Sequence, residues 1–249
     1  MKEHEAAVRW SLRKYLEYQK TLGLEYVQRE ETSTGSITEI QEAAAGMVAE
    51  SPGEMVDERP GMNLPDDLKE LGRMVTACTK CELHVERVKV VFGDGNPLAR
   101  LMFVGEGPGA EEDRQGVPFV GAAGQLLSKI LQAMGFIRSE VYITNIVKCR
   151  PPQNREPLPK EAHACRPYLL KQLELIQPEV IVALGRTAAQ NLLQTDAPLG
   201  RLRGRFHDLQ GIVVMPTYHP AALLRYPENK RFVWADMKLV MAKLGKPVP

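Results

Sequence analysis

An α/β fold, with a central and mostly parallel four-stranded sheet flanked by helices, is predicted by three features of the sequence. Four short apolar runs, at residues 100–104, 141–144, 180–184 and 212–215, have the length and composition of buried strands. Helical patterns separate them, and strand–helix alternation of this kind builds parallel sheets covered on both faces. Each run also ends in residues that break regular structure or offer polar chemistry: Gly105, Asn145, Gly185, and the Pro216-Thr217-Tyr218-His219 segment. Open α/β sheets bind their ligands at that carboxyl edge.

Residues 5–28 place Val8, Leu12, Tyr15 and Leu16 at helical spacing and are read as a helix. Residues 29–63 are rich in Glu, Ser, Thr, Gly and Pro and read as a flexible linker. The chain is therefore divided into an amino-terminal extension, 1–63, and a domain, 64–249. Within the domain, residues 65–77 form an amphipathic helix that starts at Pro65 and delivers Cys78 and Cys81. Residues 88–92 are expected to form a short strand, followed by a turn at Gly93-Asp94-Gly95-Asn96-Pro97. After the strand at 100–104 come a glycine loop, a helix over 122–134 and the strand at 141–144. Four prolines exclude helix and central strand from residues 151–159. A helix over 159–176 carries Cys165; helices after the third and fourth strands reach residue 193 and span about 230–244. The basic stretch 200–207 reads as a loop.

A chain of 249 residues with 44% hydrophobic content can fill one large core. No apolar run approaches the ~20 residues of a membrane span. No apolar h-region follows the first residues, so a cytoplasmic protein without membrane contact is expected. The net charge of +1 is unevenly spread: residues 1–60 carry −5 and the remainder +6. A mildly basic body fits weak attraction to a polyanion.

The four cysteines, Cys78, Cys81, Cys149 and Cys165, are spaced Cys-x2-Cys, 67 residues, Cys-x15-Cys. In a cytosolic chain they point to a metal site or to redox chemistry more than to disulfides. Four thiolates suit either tetrahedral zinc or a 4Fe-4S cluster.

The loop Gly105-Glu106-Gly107-Pro108-Gly109 lets backbone approach a ligand closely. The carboxylates of Glu111, Glu112 and Asp113 disfavour a phosphate there, whereas Phe119 offers a stacking face; a flat, uncharged, polar ligand such as a nucleobase fits. Asn145 carries both a donor and an acceptor, as reading a carbonyl beside a ring N–H requires. A neutral His219 can donate to an oxygen that gains negative charge.

Four segments together carry a resemblance: Gly105 to Gly109, Val117-Pro118-Phe119-Val120-Gly121, Tyr142-Ile143-Thr144-Asn145-Ile146-Val147-Lys148-Cys149-Arg150-Pro151-Pro152, and Thr217-Tyr218-His219-Pro220-Ala221-Ala222-Leu223-Leu224-Arg225. They resemble the motifs of the family 4 uracil-DNA glycosylases, over about residues 65–245. The resemblance implies that family's three-layer sandwich and excision of uracil from single- or double-stranded DNA in base excision repair. It also implies a 4Fe-4S cluster held by Cys78, Cys81, Cys149 and Cys165, with zinc as the alternative. Glu106, Gly107 and Pro108 would line the uracil pocket, Phe119 would stack on the base, Asn145 would read its edge, and His219 would stabilise charge on its O2. Glu106 or Glu112 would orient the attacking water. Leu223, or second Leu224, would fill the gap left by the flipped base. Arg201, Arg203, Arg205 and Arg225 would contact phosphates. The protein is expected to act as a monomer, with residues 5–28 available to a protein partner. The alternatives are a non-catalytic or a covalently trapping iron–sulfur protein that binds uracil-DNA.

Overall fold

The computed structural model describes residues 64–248; the helix read over 5–28 and the linker read over 29–63 lie outside them. In chain order, α1 (Leu68–Thr76) and α2 (Leu83–Glu86) precede β1 (Asp94–Gly95) and β2 (Leu101–Gly105). Then follow α3 (Ala110–Gln115), α4 (Ala122–Ala133), β3 (Tyr142–Asn145), α5 (Pro159–Ile176), β4 (Val180–Leu184) and α6 (Arg186–Leu193). The last elements are α7 (Leu199–Leu202), β5 (His207–Leu209), β6 (Ile212–Thr217), α8 (Pro220–Arg225) and α9 (Lys230–Lys243).

Alternation along the central strands decides the layering. Successive strand residues face opposite sides of a sheet. Met102 and Val104 of β2 join one core with Ile181 and Ala183 of β4 and with Leu169 and Leu173 of α5. Leu101 and Phe103 join a second core with Val180 and Val182, with Leu127 and Leu131 of α4, and with Met237 and Val240 of α9. Every residue of β2, β3 and β4 is buried, as expected of strands covered on both faces. The result is the anticipated helix–sheet–helix sandwich.

The sheet is larger than expected. Its order is β1-β3-β2-β4-β6-β5. The inner four strands are parallel, and β1 and β5 add antiparallel edges. The expected strand at 88–92 does not form. Val91 N–H donates to Lys148 O, but Phe92 O accepts from the Thr144 and Gln172 side chains, so no ladder is built. The edge strand lies instead at Asp94–Gly95, inside the predicted turn. The basic stretch 200–207 is likewise no simple loop, because α7 and the first residue of β5 occupy its ends.

Register brings the chemistry to one edge. Gly105 pairs with Asn145 at the ends of β2 and β3. Leu184 pairs with Thr217 at the ends of β4 and β6. Glu106, Gly185 and His219 therefore emerge side by side, as a parallel sheet dictates.

Candidate base-binding site and cysteine cavity

Asn145 is buried, at 1% exposure, and its carboxamide oxygen has no hydrogen-bond partner. A buried acceptor without a donor is unfavourable by about 1–3 kcal/mol, so this oxygen suits a ligand that brings an N–H. Phe119 stands beside it. An added Cβ on Gly105 would lie 2.4 Å from Asn145 Oδ1 and 2.6 Å from Phe119 Cζ. Only a residue without a side chain lets ring and carboxamide meet there.

Phe119 has a φ of 53°, in the left-handed region that a non-glycine residue rarely adopts. Two groups hold it. Glu112 Oε1 accepts from the backbone N–H groups of Val120 and Gly121, both at 2.9 Å. The Arg138 guanidinium donates to Phe119 O at 3.0 Å and to Pro118 O. One oxygen of Glu112 is thus committed to the turn that aims the ring. The sequence reading of Glu112 as a water-orienting group missed this structural duty, and it missed Arg138 altogether.

His219 is the N-cap of α8. Its ring centroid lies 5.5 Å from that of Phe119. Its Nδ1 accepts from Ala221 N–H at 3.1 Å, so the neutral ring carries its proton on Nε2. Burial pushes the imidazole down to about 4; Glu112 opposes this and Arg225 adds to it. The histidine is therefore a neutral donor across the physiological range. Gly185, at a φ of +92°, clears its path, since a Cβ there would meet His219 Cβ at 3.1 Å.

Glu106 follows β2, and its carboxylate lies 2.6 Å from Thr187 Oγ1. Burial raises its pKa above the ordinary carboxylate value; the Thr187 hydrogen bond lowers it, Glu156 raises it and Arg186 lowers it. Gly107 sits tight against Val147: a Cβ would approach Val147 Cγ2 to 2.9 Å. Pro108 is buried.

The four cysteines line one small cavity together with Arg87, Lys148 and Tyr168. Burial pushes the Cys165 thiol up to about 12 and raises Cys149 and Cys81 as well. Among the described residues no three Cys, His, Asp or Glu side chains are gathered closely enough to hold a single metal ion. Four thiols that line one void match the donor set of a four-cysteine iron–sulfur cluster or of a zinc site. Arg87 braces the site, donating to Cys78 O at 2.7 Å, Thr76 O at 3.0 Å and Cys149 Sγ at 3.3 Å.

Lys148 joins the two sites. It is 1% exposed, and its Nζ donates to Thr144 Oγ1 at 2.6 Å, Gln172 Oε1 at 2.6 Å and Asn145 O at 2.8 Å. A lysine between Asn145 and Cys149 in an otherwise apolar strand exit was the available signal, and the sequence reading passed over it.

Two expectations about DNA contacts are corrected. Leu223 was the first choice to fill the gap left by a flipped base, yet it is 1% exposed and packs in the core beneath α8; Leu224 is 49% exposed. The i and i+3 positions of a helix share a face, and Pro220 is buried beside Leu223. Arg203 is not free for a phosphate. It pairs with both oxygens of buried Asp236, at 2.8 and 2.9 Å, and stacks 4.9 Å from the Phe232 centroid. Arg201, Arg205 and Arg225 are exposed.

A glycine floor, an aromatic face, a buried asparagine with an unpaired oxygen and a neutral histidine share one parallel sheet edge of an α/β protein, a set of groups with the chemistry to hold a nucleobase. The family model of the uracil DNA glycosylase superfamily matches residues 92–238. The type-4 uracil-DNA glycosylase of Thermotoga maritima is 48% identical over 186 residues, covering 73% of this chain and 97% of that protein. The type-4 enzyme of Archaeoglobus fulgidus is 43% identical over 192 residues, covering 74% and 96%. A type-5 uracil-DNA glycosylase of Pyrobaculum aerophilum matches less far, at 35% over 152 residues, 53% of this chain and 65% of its own length. The chain belongs to the type-4 uracil-DNA glycosylases.

Proposed function

We propose that this protein excises uracil from DNA by hydrolysing the bond between base and deoxyribose, leaving an abasic site for base excision repair. The observation that carries the reading is the meeting of Phe119 and the unpartnered Asn145 oxygen over Gly105, with the neutral His219 ring 5.5 Å from that of Phe119. The base must leave the duplex stack to reach such a pocket. There Phe119 stacks on uracil, Asn145 Oδ1 accepts from N3–H and its amide donates to O4. Cytosine presents the reverse pattern at both positions, so it leaves the buried acceptor unpaired. His219 Nε2–H donates to O2 as the bond breaks and negative charge gathers on the base. A positioned donor of this kind is worth about 10²–10³ in rate.

Glu106 faces the reacting sugar in this reading and orients the water that adds to it. Leu224 occupies the gap left in the stack, and Arg201, Arg205 and Arg225 meet phosphates. Cys78, Cys81, Cys149 and Cys165 hold a 4Fe-4S cluster that braces the fold and takes no part in bond cleavage. Among the described residues no helix is long and apolar enough to cross a membrane. The enzyme works as a monomer in the cytoplasm, on single- or double-stranded DNA, with residues 1–63 as an extension whose segment 5–28 is available to a repair partner.

The test is uracil release from an oligonucleotide with one uracil, using anaerobically purified protein and alkaline cleavage at abasic sites. Cleavage at uracil alone, lost in Asn145→Ala and His219→Ala, supports the assignment. An intact, DNA-binding protein that leaves uracil in place refutes it.

A further inference from the structure

Thr187 is the second residue of α6, and its hydroxyl touches two carboxylates. Glu106 Oε2 lies 2.6 Å away on the active-site side. Glu156 Oε1 lies 2.7 Å away on the other. A hydroxyl has one hydrogen and can donate to only one of them. With both carboxylates ionised, the second contact would set two lone pairs against each other. The trio is complete only when it holds one further proton. Glu156 also pairs with Arg186 at 2.7 Å and is half exposed. Together with Thr187, Asn191 and Gln194 it lines an open groove of ≈ 560 Å³, which none of the base-binding residues lines.

We infer that Glu106, Thr187 and Glu156 form a proton relay that connects the active site to solvent through this groove, which the base-binding residues do not line. The inference rests on the reading that Glu106 faces the sugar. Before reaction the shared proton sits on Glu106, where burial and the Glu156 charge favour the neutral acid, while Glu156 keeps its ion pair with Arg186. As the glycosidic bond breaks, the uracil departs with the electron pair and the sugar becomes cationic. That charge draws Glu106 to ionise: its proton passes to Thr187 Oγ1 while the Thr187 hydroxyl proton passes to Glu156. Water then adds to the sugar carbon and gives a proton to Glu106, and Glu156 releases its proton into the groove. One proton enters from water and one leaves to solvent, so the trio returns to its first state. Thr187 and Glu156 act through Glu106 and are positioning residues.

The experiment is single-turnover uracil release against pH, in H2O and D2O, for the parent, Glu106→Gln, Thr187→Val, Thr187→Ser and Glu156→Gln. The charged groups facing Glu106 are Glu156, from the loop before α5, and Arg186, from the start of α6; the pocket's other titratable side chains are His219 and Glu112. Thr187→Val is expected to slow release about tenfold or more and to diminish the solvent isotope effect, with Thr187→Ser restoring both. The alkaline limb of the rate, where Glu106 loses the proton that the relay starts from, should move in opposite directions: to higher pH in Thr187→Val, which removes a hydrogen bond that lowers Glu106, and to lower pH in Glu156→Gln, which removes a neighbouring negative charge that raises it. If Glu106→Gln is inactive while Thr187→Val and Glu156→Gln keep the parent rate and alkaline limb, the relay is refuted and the role of Glu106 stands. If Glu106→Gln releases uracil at the parent rate, the underlying reading fails and the relay with it. A slow, less stable Thr187→Val that Thr187→Ser does not restore would mean a packing role and overturn the inference.

Discussion

Gly105→Ala puts one methyl group at the centre of the base pocket. The new carbon would stand 2.4 Å from Asn145 Oδ1 and 2.6 and 2.8 Å from two Phe119 ring carbons. Unstrained carbon contacts lie near ~3.5–4.0 Å, so the overlap is about 1 Å on both sides. The backbone cannot yield readily: β2 pairs with β3 on one side and β4 on the other, and Gly105 O accepts from Ile146 N–H at 2.9 Å. Phe119 is pinned by Glu112 and Arg138. The ring and the carboxamide must therefore turn away, which removes stacking and edge reading together. A displacement of that size is expected to lower uracil release by about 10²-fold or more. Overpacking should cost only about 1–3 kcal/mol of stability, so the variant remains folded. Single-turnover release at saturating enzyme, urea denaturation and binding to uracil-free DNA are measured together. The expected pattern is slow release, slightly lower stability and unchanged binding to plain DNA, because the proposed phosphate contacts lie elsewhere. A variant within about threefold of the parent rate would refute the argument that ring and carboxamide are held in place by the missing side chain.

Three further outcomes are expected. His219 is protonated below about 6.5 when unfolded but only below about 4 when folded; the unfolded chain binds more protons in that window. His219 therefore makes the fold less stable as pH falls from 6.5 towards 4, by an amount on the order of 3 kcal/mol; His219→Gln should flatten the urea midpoint over that range relative to the parent. Arg203→Ala leaves Asp236 buried without its cation and should destabilise by about 3–5 kcal/mol, whereas Arg225→Ala should leave stability intact and reduce the salt slope of DNA binding by about one; equal stability losses would contradict the division. Leu223→Ala should lower stability by about 2–5 kcal/mol, while Leu224→Ala should spare the melting temperature and slow release from duplex more than from single strands; the reverse pattern would return the gap-filling role to Leu223.

Much of this arrangement is legible in the chain because its signals are local. The helix over 159–176 opens on a proline at its first turn, and Glu161 closes a capping interaction on Leu158 N–H. The strand at 180–184 is an uninterrupted apolar run. Asn145 and His219 stand out because each follows a run that can only be a buried strand. The edges of the sheet were not legible: two residues of β1 and three of β5 are too short to carry a period; β1 is recruited by β3, distant in sequence, and β5 only by the hairpin it makes with β6. Leu223 was misjudged for a related reason. His219-Pro220 starts a helix, and on that helix the burial of Leu223 depends on α4, which the local sequence does not reveal. Thr187, Arg138, Arg87 and Lys148 were missed because their partners lie between 3 and 81 positions away and only the folded chain selects them.

The spread of the cysteines along the chain has one more effect. Cys78 and Cys165 are 87 positions apart, and the proposed cluster would tie them into a closed loop that contains Glu106, Phe119 and Asn145 but excludes His219. Treated as a cross-link, closure over that span removes on the order of 4–5 kcal/mol of chain entropy from the unfolded ensemble. The inorganic group would then work on conformations that never meet DNA: it would make the disassembled chain less disordered and so lower its share at equilibrium.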